Sequence, residues 1–176
     1  MTAPSPTFEI RKLDTHDAHD YRALRIRALW EFPEAFTSSY QEDELLPMEW
    51  WEARLARDNT TFWGAFDGGN LCAMVGLERE TRAKNSHKAT VVGMYVSQEY
   101  FGTGMGKMLI DALIAHARAA GLELLVLTVT EGNTIATHFY AAAGFHSFGI
   151  EPRAIRIDGR YFGKNHMYLE LNTSSS

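Results

Sequence analysis

Hydrophobic and polar positions alternate along the first third of the chain in patterns typical of one strand and two helices. Phe8–Lys12 predicts a short strand. Apolar residues then recur at helical spacing over His16–Phe32, and Pro33 ends that helix. A second helix is predicted over Leu46–Ala56, with Pro47 near its first turn.

A strand pair follows these helices. Thr61–Phe66 and Leu71–Glu80 are rich in β-formers or apolar residues, and Asp67-Gly68-Gly69-Asn70 between them predicts a hairpin turn. Strict alternation along the second strand places these residues on one face: Cys72, Met74, Gly76, Glu78 and Glu80. Cys72 is interpreted as a small core residue.

The second half of the chain predicts strands alternating with helices. Ala89–Val96 is a mostly apolar run expected of a central strand covered on both faces, and Gly93 within it predicts a bulge or a close backbone approach. Met105–Ala120 carries a helical apolar stripe that ends at Gly121. The remaining elements are a strand over Leu122–Thr130, a helix from Asn133 through Ala143, and strands over Phe145–Ile157 and His166–Leu171 around a turn at Asp158-Gly159. This order predicts one α/β domain with a mixed sheet.

The chain length and the net charge exclude some classes of function. The 176 residues fit one domain, and 17 Lys and Arg against 22 Asp and Glu give a formal charge of -5. A mildly acidic chain lacks the basic surface that phosphate-backbone binding needs, so nucleic acid is not an expected partner. The single cysteine excludes an intrachain disulfide and a multi-cysteine zinc site, which favours a cytoplasmic location.

The termini carry no targeting signal that we recognise. Residues 1–7 are expected to be a flexible N-terminus, 8–171 the folded domain, and 172–176 a disordered tail. No stretch approaches the roughly 20 consecutive apolar residues of a membrane span, so no membrane partner is expected.

A glycine-rich turn lies between the predicted central strand and the helix that follows it. Gly102, Gly104 and Gly106 let backbone N–H groups turn toward an anion at a helix N-terminus. Dinucleotide binding would need a glycine where Lys107 stands, and a P-loop would need a glycine in place of Phe101. Both nucleotide-binding patterns therefore fail.

The segment Phe101-Gly102-Thr103-Gly104-Met105-Gly106 resembles the coenzyme A pyrophosphate loop of the GCN5-related N-acetyltransferase (GNAT) family. That loop reads Arg or Gln, two residues, Gly, one residue, and Gly or Ala, so Phe101 departs from the pattern. A second set of residues resembles the family's later motif, an Asn-capped helix with an aromatic-Tyr pair followed by Gly-Phe: Asn133, Ala136, Phe139, Tyr140, Gly144 and Phe145.

The resemblance implies a central mixed, mostly antiparallel sheet flanked by helices on both faces. It also implies acetyl-CoA as co-substrate and acetyl transfer to an amine by direct attack in a ternary complex. The coenzyme-binding residues that it implies are Met94, Tyr95, Val96, Gly102, Thr103, Gly104, Met105, Gly106, Lys107, Asn133 and Tyr140. A plain helix N-cap explains Asn133 equally well.

Two residues are candidates for proton transfer. Tyr140 is the proposed acid, because a phenol pKa of about 10 is near that of a thiol leaving group; the alternative is a tyrosine that only packs in the core. Glu78 is the candidate base, on the expectation that burial against the sheet raises its pKa. A plain salt bridge is the alternative role for Glu78, and His87 and a water chain are the alternative bases. The histidines show no compact metal-ligand spacing, so no metal is expected.

The sequence says less about the acceptor amine than about the coenzyme. From Ala28 to Ala53 there is no Lys or Arg, while several residues are acidic, which indicates either a solvated face or a wall that attracts a cationic amine. Basic residues near the C-terminus favour an anionic acceptor or the coenzyme phosphates instead: Arg153, Arg156, Arg160 and Lys164. A homodimer interface is considered at Trp30, Trp50, Trp51 or Tyr161. The alternative function is a non-catalytic acyl-CoA-binding or sensory module.

Overall fold

The computed structural model of the chain describes residues 7–171, so the predicted tail and all but Thr7 of the predicted flexible N-terminus lie outside the described residues. The helices are α1 (Ala18–Glu31), α2 (Tyr40–Asp43), α3 (Met48–Leu55), α4 (Met105–Ala119) and α5 (Thr134–Ala142). The strands are β1 (Glu9–Lys12), β2 (Thr60–Asp67), β3 (Asn70–Arg79), β4 (Lys88–Val96), β5 (Leu124–Thr130), β6 (His146–Ile157) and β7 (Arg160–Glu170).

All seven strands form one sheet in the order β1-β2-β3-β4-β5-β7-β6. Its one parallel pair is β4 with β5, and every other neighbouring pair is antiparallel. A parallel pair needs a crossover connection, and α4 supplies it. The expected mixed, mostly antiparallel sheet is confirmed.

Helices cover both faces of this sheet. On one face, Tyr21, Leu24 and Trp51 of α1 and α3 pack against Phe62 and Met74 of the sheet. On the other face, α4 and α5 pack against the opposite side of β3, β4 and β5. The central strands β2, β3 and β4 therefore contribute side chains to both apolar clusters, and the two-sided burial predicted for β4 is confirmed.

The last strand differs from the prediction. The sequence predicts a strand from His166, whereas β7 begins at Arg160 and pairs with β6 on one side and β5 on the other. Lys164 and Asn165 are buried there despite their polarity. These side chains are buried because β7 lies between two other strands. The segment is polar, so its hydrophobic pattern does not predict a strand there.

Two further expectations are wrong. Trp51 is 0% exposed, so it lies in the core and not at a dimer interface. Cys72 is a core residue as predicted, but it packs in the cluster on the α4 face, whereas Met74 packs on the α1 face. The cause is a bulge, because Ala65 pairs with Ala73 while Phe66 pairs with Leu71, which leaves Cys72 as an extra residue.

No helix within residues 7–171 combines the length and the apolar character needed to cross a membrane.

Candidate active site

The centre of the sheet opens between β4 and β5. Their parallel pairing joins Lys88–Thr90 to Leu124–Val126 and ends there. Beyond this point β4 stays paired with β3 as far as Val96, and β5 stays paired with β7 as far as Thr130. The facing edges of the two strands therefore diverge, and backbone groups of β4 after Thr90 are free to bind a ligand in the gap.

A bulge in β4 shapes this gap, as predicted at Gly93. Val92 pairs with Gly76 and Tyr95 pairs with Met74, so Gly93 and Met94 together face Val75. Gly93 has φ +62°, a conformation that favours glycine. The bulge redirects the backbone between Thr90 and Val96, where the coenzyme arm is expected to lie.

The glycine-rich turn leads from β4 into α4 and leaves room for an anion. Gly102 and Gly104 have φ +75° and +85°, and a Cβ on either would meet no atom within 4 Å. Gly104 is the N-cap of this 15-residue helix, and the N–H groups of the first turn lack intrahelical acceptors. Among them, the Met105 N–H makes a long hydrogen bond of 3.4 Å to the Thr103 hydroxyl oxygen. This open cradle of amides fits a pyrophosphate.

Not every side chain of the turn points toward a ligand. The Thr103 hydroxyl donates to the carbonyl of Tyr100 at 2.6 Å, so it closes the turn itself. Lys107 forms an ion pair with Asp111 one helical turn further on. Phe101 is 58% exposed, where the family's donor side chain usually stands. Binding of an anion at this turn therefore depends on backbone amides.

Gly106 brings the first turn of α4 against β4 and α5. A Cβ on Gly106 would lie 3.3–3.4 Å from side-chain atoms of Val96, Met94 and Phe139. The structure thus places the turn, the free end of β4 and the aromatic pair of α5 at one location, as the two sequence motifs together predict.

Tyr140 is anchored at this location by its ring. The ring packs edge-on against Phe139 and Phe145, and the residue is 8% exposed. Its hydroxyl makes no hydrogen bond to any part of the chain that the structure describes. Burial raises the pKa of Tyr140 above its ordinary value, so the phenol stays protonated at neutral pH.

Asn133 caps α5, as one of its two interpretations states. Its Oδ1 accepts a hydrogen bond from the N–H of Ala136 at 3.1 Å. The side-chain amide group makes no hydrogen bond within residues 7–171 and can still donate to a ligand. Capping and coenzyme binding are therefore compatible.

The candidate base lies away from the other site residues. Glu78 is exposed at the end of β3, so its expected burial is wrong. Glu78 pairs with Thr90 of β4. Val75, which lies opposite the β4 bulge, is three residues from Glu78 along β3, a distance of about 10 Å. His87 is exposed in the loop before β4. Neither side chain is adjacent to Tyr140 in the manner of a compact acid-base pair.

Two residues of the acidic stretch are paired with arginines of α1. Glu31 accepts from Arg27 at 2.7 Å, and Asp43 lies buried near Arg25. Within the described residues, no group of three or more His, Cys, Asp or Glu side chains is arranged to hold a metal ion.

The comparisons with known proteins agree on the family. The sequence profile of the acetyltransferase (GNAT) family matches residues 25–145, which is more than half of the chain. The chain belongs to the GNAT acetyltransferase family. It is 29% identical over 128 residues to an L-methionine sulfoximine/L-methionine sulfone acetyltransferase of Pseudomonas paraeruginosa, covering 72% of this chain and 74% of that protein.

Solved structures support the fold assignment of this GNAT acetyltransferase. A GNAT acetyltransferase from Streptococcus pneumoniae superposes with a TM-score of 0.84 at 23% identity, covering 94% of this chain and all of that one. A putative acetyltransferase from Salmonella typhimurium, solved with its cofactor acetyl-CoA, superposes with a TM-score of 0.78 at 19% identity, covering 97% of each chain.

Sequence reasoning missed one charged residue in the interior of this GNAT domain. Arg25 of α1 is 7% exposed and lies on the sheet-facing side, with Tyr21 and Ala28 one turn away on either side. An arginine within the apolar stripe of a helix was the signal that could have revealed it.

Proposed function

We propose that this GNAT enzyme transfers an acetyl group from acetyl-CoA to the amine of an acceptor by direct attack in a ternary complex. The observation that carries the proposal is the meeting of three features at one end of β4: the strand splay, the open amide cradle and the unpartnered hydroxyl of Tyr140. Acetyl-CoA supplies the thioester whose acetyl group passes to the amine and whose thiolate leaves.

Backbone groups do most of the coenzyme binding in this proposal. The amides of the turn, at Gly102, Gly104, Met105, Gly106 and Lys107, hold the pyrophosphate, and Thr103 keeps the turn closed. The free edge of β4 at Met94, Tyr95 and Val96 pairs with the amide-bearing arm, as an added strand would. The amide of Asn133 donates from the start of α5. Phe101 contributes apolar contact and no hydrogen bond.

Tyr140 holds the proton for the departing thiolate. Its ring is fixed between Phe139 and Phe145, so the hydroxyl has a defined position without a partner from the described chain. The hydroxyl oxygen is not among the fully buried unpaired atoms of residues 7–171, so a ligand can reach it, and a sulfur atom from the coenzyme would accept its hydrogen bond.

The base in the proposal is Glu78 acting through water. Its distance from the β4 bulge excludes direct contact with an amine there, whereas an exposed carboxylate at the root of the splay can exchange protons with solvent.

The acceptor is an amine whose charge class is a separate part of the proposal. The acidic stretch favours a cationic acceptor, whereas the arginines of α1 that pair with it favour an acceptor that carries a negative charge. The Pseudomonas relative named above carries amino-acid derivatives in its name, which favours a small amine over a protein terminus. A cytoplasmic location and a homodimer are further parts of the proposal, with no nucleic acid or membrane as partner.

The alternative, a coenzyme-binding module without turnover, is not favoured because the relatives are acetyltransferases. Two measurements test the choice: calorimetric titration with acetyl-CoA, and coenzyme release with a panel of amines. We expect near-stoichiometric binding and release with at least one amine. Binding without release from any amine would support the alternative, and no binding at millimolar acetyl-CoA would overturn the assignment of the turn as a coenzyme cradle.

A further inference from the structure

Arg25 is a charged side chain held inside the domain with little compensation. Its side chain is 9% exposed, and it makes no hydrogen bond to any residue in the described range 7–171. The nearest carboxylate is Asp43, whose Oδ2 lies 3.8 Å from Nε, beyond hydrogen-bonding distance. The ring of Phe36 packs 4.6 Å from the guanidinium carbon.

Such a guanidinium is unfavourable without hydrogen bonds, and none of its nitrogens is among the fully buried unpaired atoms of residues 7–171, so water or a ligand can reach it. A guanidinium has five N–H donors, and burying a charge without hydrogen bonds is strongly disfavoured. Burial lowers the pKa of Arg25 and raises the pKa of Asp43, so for both groups desolvation outweighs their mutual attraction. The pair by itself therefore does not account for keeping Arg25 in this position.

The guanidinium lies beside the β4 bulge. Nη1 of Arg25 is 3.6 Å from the position that a Cβ on Gly93 would occupy, and Cε1 of Phe62 is 3.9 Å from the same position. Arg54 reaches the same aromatic ring from α3, with its guanidinium carbon 5.2 Å from the Phe62 ring centre. Two cations and one carboxylate, Asp43, therefore occur together on the α1 side of the bulge.

We propose that Arg25, supported by Arg54, binds a carboxylate carried next to the acceptor amine, so that the substrates are α-amino acids or close relatives. This inference rests on the proposed function, because it takes the thioester to lie at the β4 splay. An amine that attacks there must pass close to Gly93. In an α-amino acid the carboxylate carbon is only about 2.5 Å from the amine nitrogen, which brings its oxygens to Arg25.

The chemistry of the cluster favours this ligand. The planar guanidinium fork matches a carboxylate with two parallel hydrogen bonds, which a neutral carbonyl cannot match in strength. The two arginines exceed Asp43 in charge, so a bound carboxylate makes the cluster neutral. A cationic acceptor would meet a net positive charge at this point and would be repelled.

Matched acceptors test the inference: L-amino acids and the corresponding L-amino acid amides, with kcat/KM measured by coenzyme release. We expect the wild-type protein to favour the acid over its amide by at least about tenfold for its best substrate. Arg25→Gln should reduce this ratio to about one, because kcat/KM should fall much further for the acid than for the amide. Arg57→Gln, at an exposed arginine that the site does not use, should keep the wild-type ratio.

The other outcomes separate this inference from the proposed function. Amides used as well as acids by the wild type, or equal losses for both substrates in Arg25→Gln, would overturn the role of Arg25 and leave the acetyltransferase proposal intact. Binding of acetyl-CoA with no release from any acid would also overturn it. If Arg25→Gln does not fold, Arg25→Lys is the second variant, because it retains the charge without the guanidinium fork; it should lower the acid-to-amide ratio partially. The ratio measured for the wild-type protein also tests the inference without any variant.

Discussion

Tyr95 donates a 2.6 Å hydrogen bond to Glu31 and thereby joins the free end of β4 to the C-terminal end of α1. Arg27 extends this link, since it donates to Glu31 and also to Glu99 in the turn that follows β4. The strand that borders the splay is thus held by side chains from α1 on the side away from α4. This connection fixes the position of the bulge relative to the cradle.

The Tyr95–Glu31 bond makes stability depend on pH in the acid range. Hydrogen bonding from Tyr95, followed by that from Arg27, lowers the pKa of Glu31 in the folded state. A depressed carboxyl pKa contributes stability above the unfolded-state pKa of about 4.3, and this stability is lost as the pH falls through the folded-state value. Denaturant unfolding from neutral pH into this acid range should show the loss.

The variant Tyr95→Phe tests the same bond. We expect it to lower the free energy of unfolding by about 1.5 kcal/mol at neutral pH and to reduce the acid-range slope. Tyr161→Phe, at a side chain on β7 that is 52% exposed, should change neither quantity. An unchanged slope in Tyr95→Phe would show that the bond does not lower the pKa of Glu31.

Two glycines at opposite ends of α4 separate backbone strain from ligand binding. Gly104 and Gly121 have φ +85° and +75°, and a Cβ on either would meet no atom within 4 Å. Replacement by alanine should destabilise the protein by about 1 kcal/mol in each case. Only Gly104→Ala is expected to weaken acetyl-CoA binding, by about tenfold, because the strained turn carries the amide cradle. Equal affinities in the two variants would locate the pyrophosphate elsewhere.

Removing the Tyr140 hydroxyl should affect turnover and little else. The hydroxyl makes no hydrogen bond within the described chain, so Tyr140→Phe should change the free energy of unfolding by less than about 1 kcal/mol. Acetyl-CoA affinity, measured by calorimetry, should stay near the wild-type value. We expect kcat to fall about a hundredfold or more, as for loss of a general acid. Wild-type turnover in this variant would assign Tyr140 to packing alone.

The proposed base has a direct test in Glu78→Gln. If the carboxylate accepts the amine proton through water, kcat/KM should fall at least about tenfold. Glu170→Gln, at another exposed glutamate on the sheet, serves as the control. Equal turnover of Glu78→Gln and wild type across the pH range would show that solvent water, and not Glu78, accepts the amine proton.

Much of the fold and the cradle could be predicted because the signals are local in the chain. The turn at Gly68-Gly69 needs positive φ values within two residues, and both glycines have them. The cradle at Gly102–Gly106 follows from glycine spacing at a strand-to-helix junction, and Asn133 caps its helix through a contact three residues away. Such interactions depend on neighbours that the sequence itself displays.

The sequence by itself therefore determined most of the element order, without the short helix α2, and it determined the glycine turn and the place of Tyr140 in the helix after β5. Only the tertiary structure decided which polar residues are buried: it encloses Arg25 and Lys164 and leaves Glu78 exposed. It also decided that Cys72 faces α4, because a bulge against β2 shifts the alternation of β3. The physical reason is that burial and strand register are set by segments far apart in the chain, whose pairing no local pattern records.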